Sequence, residues 1–160
     1  MCGRFALTLP HQSVADIFDV TPDETILARG PRYNICPTTE IEAVYLKDGA
    51  RRIGAMRWGF IPQWYKAING GPLLINARSE TIATKPAFAK SARERRCLIL
   101  SDGWYEWQKS AAGKQPVRIR LTSGEVFAFA GIWEEWRPKE ETDARWSEEI
   151  RSCAIITSEP

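Results

Sequence analysis

The sequence lacks several features that would have assigned it to a class at once. No apolar run approaches the ~20 residues that a membrane-spanning helix needs, and the opening MCGRFALTLPHQ has neither the basic stretch nor the apolar segment of a signal peptide. The reading is an intracellular protein with no membrane partner. Histidine occurs once, at His11, and the four cysteines, Cys2, Cys36, Cys97 and Cys153, form no CxxC pair. That spacing suits neither a zinc site nor a thioredoxin-type motif, so free thiols are expected, and no metal or organic cofactor. A formal net charge of +2 is too small to imply polyanion binding by itself, although Arg51, Arg52 and Arg57 cluster, as do Arg93, Arg95 and Arg96. There is no internal repeat and no low-complexity segment, and 160 residues suit one domain with its own core.

Tryptophan, by contrast, is plentiful: the chain has seven, several beside Arg or Gly. They read either as buried anchors or as stacking platforms for nucleic-acid bases. Val14, Ile17 and Phe18 recur at helical spacing and predict a short amphipathic helix entered near Pro10. The Pro- and Gly-rich TPDETILARGPRYNICPTTE reads as an irregular loop. IEAVYLKDGARRIGAMRWGF predicts a hairpin turning at Asp48-Gly49. GFIPQWYKAINGGPLL predicts a long ordered loop carrying Trp64 and Tyr65.

KPAFAKSARERR predicts a helix packing through Ala87, Phe88 and Ala92. CLILSDGWYEWQ, PVRIRLTSG, EVFAFAGIWEEW and RSCAIITSE read as strands, with turns near AAGK and Ser123-Gly124. Many strands and few short helices predict an α+β, predominantly β domain around one core. IRSCAIITSEP looks like a core strand needing a neighbour on its far side, which suggests a domain truncated at its C-terminus.

Cys2 carries the most distinctive chemistry. Its small side chain favours removal of Met1, which would leave an α-amine and a thiol on adjacent carbons. With ordinary pKa values of about 7.8 and about 8.5, each has a minor nucleophilic form near neutral pH. An aldehyde condenses with the amine to a Schiff base, and the neighbouring thiol closes a five-membered thiazolidine with the advantage of proximity. In LLINARSET, Asn76 and Arg78 alternate and so share one face of an extended segment. Asn76 suits orienting an amine or carbonyl, and Arg78 suits gripping a phosphate. Either could equally be an ordinary loop or surface residue. In SDGWYEW, Glu106 lies between Tyr105 and Trp107, where an acid can serve as a proton donor or simply point outward.

MCGRF, PRYNICPT, MRWGFIPQW, INARSET, RRCLILSDGWYEW and FAGIWE, in this order, resemble the SOS response-associated peptidase (SRAP) family over essentially the whole chain, 1–160. The resemblance implies a mixed or antiparallel β pseudo-barrel with a few short helices. It also implies a sensor of abasic sites in single-stranded DNA that links itself to the lesion as a thiazolidine through Cys2, with an associated autopeptidase activity. Under it Cys2, Asn76 and Glu106 are the catalytic residues. Arg4 and Arg78 match positions that contact DNA phosphates, Trp64 and Tyr65 match an aromatic pair near the flanking bases, and Pro37 is a further candidate for that wall.

The family also carries an H-x-R-x-P type motif beyond the ITSEP strand, and its histidine transfers protons. Without it, a chain ending at Pro160 is expected to be deficient in acid–base steps. His11 matches no catalytic position and reads as a solvated helix-end residue, and Leu100 stands where many relatives have proline. The partner implied is single-stranded DNA containing abasic sites, bound by a monomer in the cytoplasm and on the nucleoid of a bacterium, or in the nucleus of a eukaryote. Two other readings are a non-catalytic single-stranded DNA-binding module and a cysteine peptidase acting on proteins. The second lacks a histidine partner for Cys2.

Overall fold

Asp48 and Gly49 both adopt left-handed backbone, with φ of 53° and 75°, as the two-residue hairpin turn that matches strand twist requires. The hairpin they close is the longest ladder of the fold, from Glu40 opposite Arg57 to Lys47 opposite Ala50. The computed structural model describes residues 2–22, 24–111, 113–138 and 149–159. Readings that concern Met1, Ala112 of the AAGK turn and Pro160 lie outside these residues. In chain order the strands are β1 (Phe5–Leu7), β2 (Arg32–Ile35), β3 (Glu40–Lys47), β4 (Ala50–Trp58), β5 (Asn76–Arg78), β6 (Arg96–Ser101), β7 (Gly103–Ser110), β8 (Gly113–Ile119), β9 (Phe127–Trp136) and β10 (Ile150–Thr157). The helices are α1 (His11–Phe18), α2 (Glu24–Leu27) and α3 (Ala89–Glu94).

Strands β4, β3, β6, β9 and β10 pair in that order, and β10 returns to β4, which closes a five-stranded barrel within a mixed α+β domain. Within the barrel all ladders but the closing one are antiparallel. The parallel seam is short, with Ser152 opposite Arg57 and Cys153 opposite Trp58. Farther along, the same edge of β10 takes β5, from Ile155 opposite Asn76 to Thr157 opposite Arg78. The neighbour that IRSCAIITSEP called for is thus supplied by two strands, and the Asn-Ala-Arg triplet is fastened to the barrel wall.

Ile41, Met56, Ile99, Cys153 and Ile155 are buried in the barrel core, each large side chain contributing roughly 1.5–3 kcal/mol by leaving water. Tyr45 meets Trp133 edge-on at 4.9 Å, the ring geometry that the aromatic quadrupole favours. A second sheet, ordered β2-β1-β7-β8, joins this core. Phe5 packs edge-on against Trp58 at 5.0 Å and Phe129 at 5.9 Å, and Trp104 against Phe127 at 5.6 Å. Val14 of α1 and Ile26 of α2 share the same cluster. Phe88, at the entrance to α3, meets Phe60 at 5.6 Å in a second cluster, which Ala87 and Ala92 complete as expected.

Three expectations need correction. CLILSDGWYEWQ is two strands in different sheets, parted at Asp102, because that carboxylate is drawn to residues 8, 9 and 118. The segment read as an irregular loop holds α2 and β2, since Ile26 and Ile35 are wanted by the core. His11 is not solvated. It is 4% exposed, with Nε2 3.5 Å from a carboxylate oxygen of Glu42, because α1 lies with this residue against β3.

Candidate active site

Cys2 precedes β1 and is 7% exposed. The Arg4 carbonyl receives both the Tyr105 amide at 2.9 Å and the Cys2 thiol at 3.6 Å, so the β1–β7 pairing reaches back toward the N-terminus. Burial pushes the Cys2 thiol from 9.0 up to about 11, and the negative charge of Glu106 acts in the same direction. The thiol is therefore protonated at neutral pH. Glu106 alternates with Trp104 along β7 and shares its face, the one that turns toward Phe127 and Phe129.

Asn76 reaches Cys2 from the barrel side. Its Nδ2 donates to the Cys2 carbonyl at 3.1 Å, while its Oδ1 is buried without a hydrogen-bond partner among the described residues. The backbone before it is pinned, since the Ile75 carbonyl accepts both the Trp58 indole and the Ile155 amide at 3.0 Å. Arg78 follows two residues on, with its side chain 49% exposed and 3.6 Å from Glu159. Arg4 donates to Asn34 Oδ1 at 3.0 Å on an exposed surface. Half-buried Pro37 precedes Thr38, whose amide donates to the Trp58 carbonyl at 2.7 Å.

The fold thus brings together Cys2, Asn76 and Glu106, three residues scattered over the chain, with Arg4 just ahead of β1 and Arg78 at the end of β5. It does not bring Trp64 and Tyr65 into the same cluster. These rings meet edge-on at 6.5 Å, and the Tyr65 carbonyl accepts the Trp136 indole at 2.9 Å. Trp136 pairs with Ile150, at the far end of the β9–β10 ladder from Ile155 and Asn76. Trp64 lines a cleft with Gln63, Arg95 and Glu135 there. A cleft of about 870 Å³ between β4 and the start of β10, lined by Arg51, Arg52, Arg57 and Arg151, contains none of the predicted site residues. Among the described residues, no group of three or more His, Cys, Asp or Glu side chains is placed to hold a metal ion. Sequence reasoning passed over Asp102 and Arg118, whose ion pair at 2.8 Å lies behind β1. The only sequence signal for the pair was the Ser-Asp-Gly ahead of WYEW.

A family model described as SOS response associated peptidase (SRAP) matches residues 1–160. The chain belongs to this family. Among its relatives, the Bacillus subtilis (strain 168) protein named abasic site processing protein YoaM is 38% identical over 164 residues, covering 100% of this chain and 68% of YoaM. The Escherichia coli (strain K12) family member, abasic site processing protein YedK, is 31% identical over 138 residues, which is 82% of this chain and 59% of YedK. A crystal structure of a Bacteroides thetaiotaomicron protein shares the fold with a TM-score of 0.86 at 24% identity, over 99% of this chain and 68% of that one. A phage-related protein from Bordetella bronchiseptica superposes with a TM-score of 0.70 at 31% identity, over 98% of this chain and 69% of the other.

Proposed function

We propose that this SRAP-family chain is an abasic-site sensor that couples covalently to the lesion through Cys2. The observation that carries this reading is the meeting of the Cys2 backbone, the Asn76 amide and the Glu106 carboxylate at one point of the fold. Relatives named abasic site processing proteins support the substrate class. The ring-opened abasic deoxyribose presents an aldehyde. With Met1 removed, the Cys2 amine attacks first, because burial holds the thiol in its protonated form. Loss of water gives the Schiff base, and addition of the Cys2 sulfur to the same carbon closes the thiazolidine while the thiol proton passes to nitrogen.

Asn76 Oδ1, buried and without a partner among the described residues, is the acceptor that would orient the amine or the sugar hydroxyl. Glu106 moves protons during dehydration and ring closure. Arg4 and Arg78 hold phosphates on either side, and Pro37 offers surface to a flanking base at ~1–3 kcal/mol per stacked base, whereas Trp64 and Tyr65, at the far end of the β9–β10 ladder, would meet only bases farther along the strand. The test is an intact-mass spectrum of the Met1-free protein after incubation with a single-stranded oligonucleotide bearing one abasic site. A gain of the oligonucleotide mass minus water, lost in Cys2→Ala, is expected. A folded wild-type protein that gains no mass overturns the reading.

A further inference from the structure

The Ser-Asp-Gly triplet at 101–103 stands where the chain leaves the barrel for the second sheet. Asp102 is 5% exposed, and its carboxylate is surrounded by donors. Oδ2 accepts the Thr8 amide at 2.6 Å, the Thr8 hydroxyl at 2.6 Å and the Leu9 amide at 3.2 Å, and Oδ1 accepts Arg118 Nη2 at 2.8 Å. Bonds to an ionised acceptor are shorter and about twice as strong as neutral ones. The Asp102 amide and the Ser101 hydroxyl both donate to the Ala6 carbonyl, at 3.0 and 3.1 Å. Gly103 leaves the path open, since a Cβ there would lie 2.8 Å from Arg118 Nε.

These bonds grip residues 6–9 and stop short of Cys2. Their influence reaches it through strand register. Phe5 faces Trp104 and Ala6 faces Gly103, and just before them the Arg4 carbonyl accepts both the Tyr105 amide and the Cys2 thiol, so the placement of Cys2 follows the β1–β7 pairing. A slip of one residue would exchange the two faces. Phe5 would then leave the core, and the Arg4 carbonyl that holds the Cys2 thiol would lose the Tyr105 amide that fixes it to β7.

We propose that Asp102 is a positioning residue for the Cys2 nucleophile: its carboxylate locks Thr8 and Leu9 onto the β6–β7 corner and so maintains the β1–β7 register that holds Cys2 beside Asn76 and Glu106. Arg118 supplies the counter-charge that keeps the carboxylate aimed at β1. The inference rests on the crosslinking reading of Cys2 and extends it to a side chain that does not meet the DNA.

Asp102→Asn keeps the size of the side chain but puts an NH2 group among donors, and Arg118→Gln removes the counter-charge while sparing the carboxylate. Alkylation of Cys2 by iodoacetamide, mapped by peptide mass well below the unfolding midpoint, reads the clamp without DNA. In Asp102→Asn it should accelerate on the order of tenfold, with its pH midpoint moved down toward that of an ordinary thiol. Adduct formation with an abasic oligonucleotide should slow on the order of tenfold to a hundredfold, as misplacement of a reacting group predicts, while binding of an undamaged strand stays unchanged. Arg118→Gln should move each readout the same way by less, and it carries the test if Asp102→Asn does not fold. A lowered Tm with the wild-type alkylation rate and pH midpoint would mean a structural role only and overturns the proposal. Wild-type protein that forms no adduct refutes the crosslinking reading, whereas a crosslinking wild type whose two variants keep its alkylation profile refutes the clamp alone.

Discussion

Two buried polar clusters lie at opposite ends of the first eleven residues, and they differ in how their charge is answered. At His11, the Glu42 carboxylate is 1% exposed and is met by Arg29 at 3.2 Å, His11 at 3.5 Å and Arg32 at 3.8 Å. Burial alone would lower the Arg29 pKa, but its bonds to Glu40 and Glu42 outweigh that and raise it. Two guanidinium groups and the His11 ring around one carboxylate make this cluster a tie between α1, the α2–β2 connection, the start of β2, and β3. At Cys2, burial and the neighbouring Glu106 both oppose ionisation of the thiol, and the Asn76 acceptor has no partner among the described residues. The difference is one of charge, since the buried Glu42 carboxylate is answered by two guanidinium groups whereas the buried Cys2 thiol lies beside a carboxylate. Both clusters keep buried polar atoms without a hydrogen-bond partner among the described residues, Glu42 Oε2 and His11 Nε2 in the first and Asn76 Oδ1 in the second.

The comparison breaks most sharply on Cys2 itself. Cys2→Ala should abolish the covalent adduct in the intact-mass spectrum, while His11→Gln should leave its rate unchanged. Equal loss in both would erase the distinction between the two clusters. Next, Glu106→Gln and Asn76→Ala should each slow adduct formation on the order of a hundredfold, the scale of a positioned proton-transfer or orienting group. Single-turnover rates measured on denaturing gels would check this, and full-rate variants would remove these residues from the chemistry.

Glu42→Ala acts on the other cluster. By leaving Arg29 and Arg32 without their buried carboxylate it should lower the unfolding free energy by about 3 kcal/mol. Urea titration reads that loss, and the protein that remains folded should still crosslink at the wild-type rate. The smallest effect is the share of a single thiol, Cys97, in the pH dependence of stability. Burial pushes Cys97 from 9.0 up to about 12, and Cys2 rises to about 11, so between those values and 9.0 the folded protein keeps protons that the unfolded chain has lost. The stabilisation is whole below about pH 9 and is lost as pH climbs through 11 and 12. Urea midpoints should fall from pH 8 to pH 10.5, and less steeply in Cys97→Ala; a flat wild-type profile would contradict the burial of these thiols.

Local chemistry made much of this molecule legible. Asp48-Gly49 required a hairpin, the spacing of Val14 and Phe18 a helix, and the alternation around Asn76 an extended segment that does present the amide to Cys2. The ordered motifs, from MCGRF to FAGIWE, pointed to the family that the whole chain matches. Composition could not say that the stretch around Ile26 and Ile35 would be drawn into structure, because the apolar surface that recruits those side chains comes from distant strands. Nor could it distinguish a buried histidine from a solvated one. His11 is placed by Glu42, 31 positions away on β3.

The residues themselves determined a cysteine at position two, an amide and a carboxylate on extended segments, and a mostly β chain around one core. Tertiary structure alone decided that these three groups meet, that the strand-like run at 96–110 divides between two sheets, and that Trp64 and Tyr65 stand apart from Cys2. The physical reason is visible at Asp102. Its donors come from Thr8, Leu9 and Arg118, so the corner that sets the register of β1 against β7 is made by long-range bonds to a carboxylate, which no local pattern encodes.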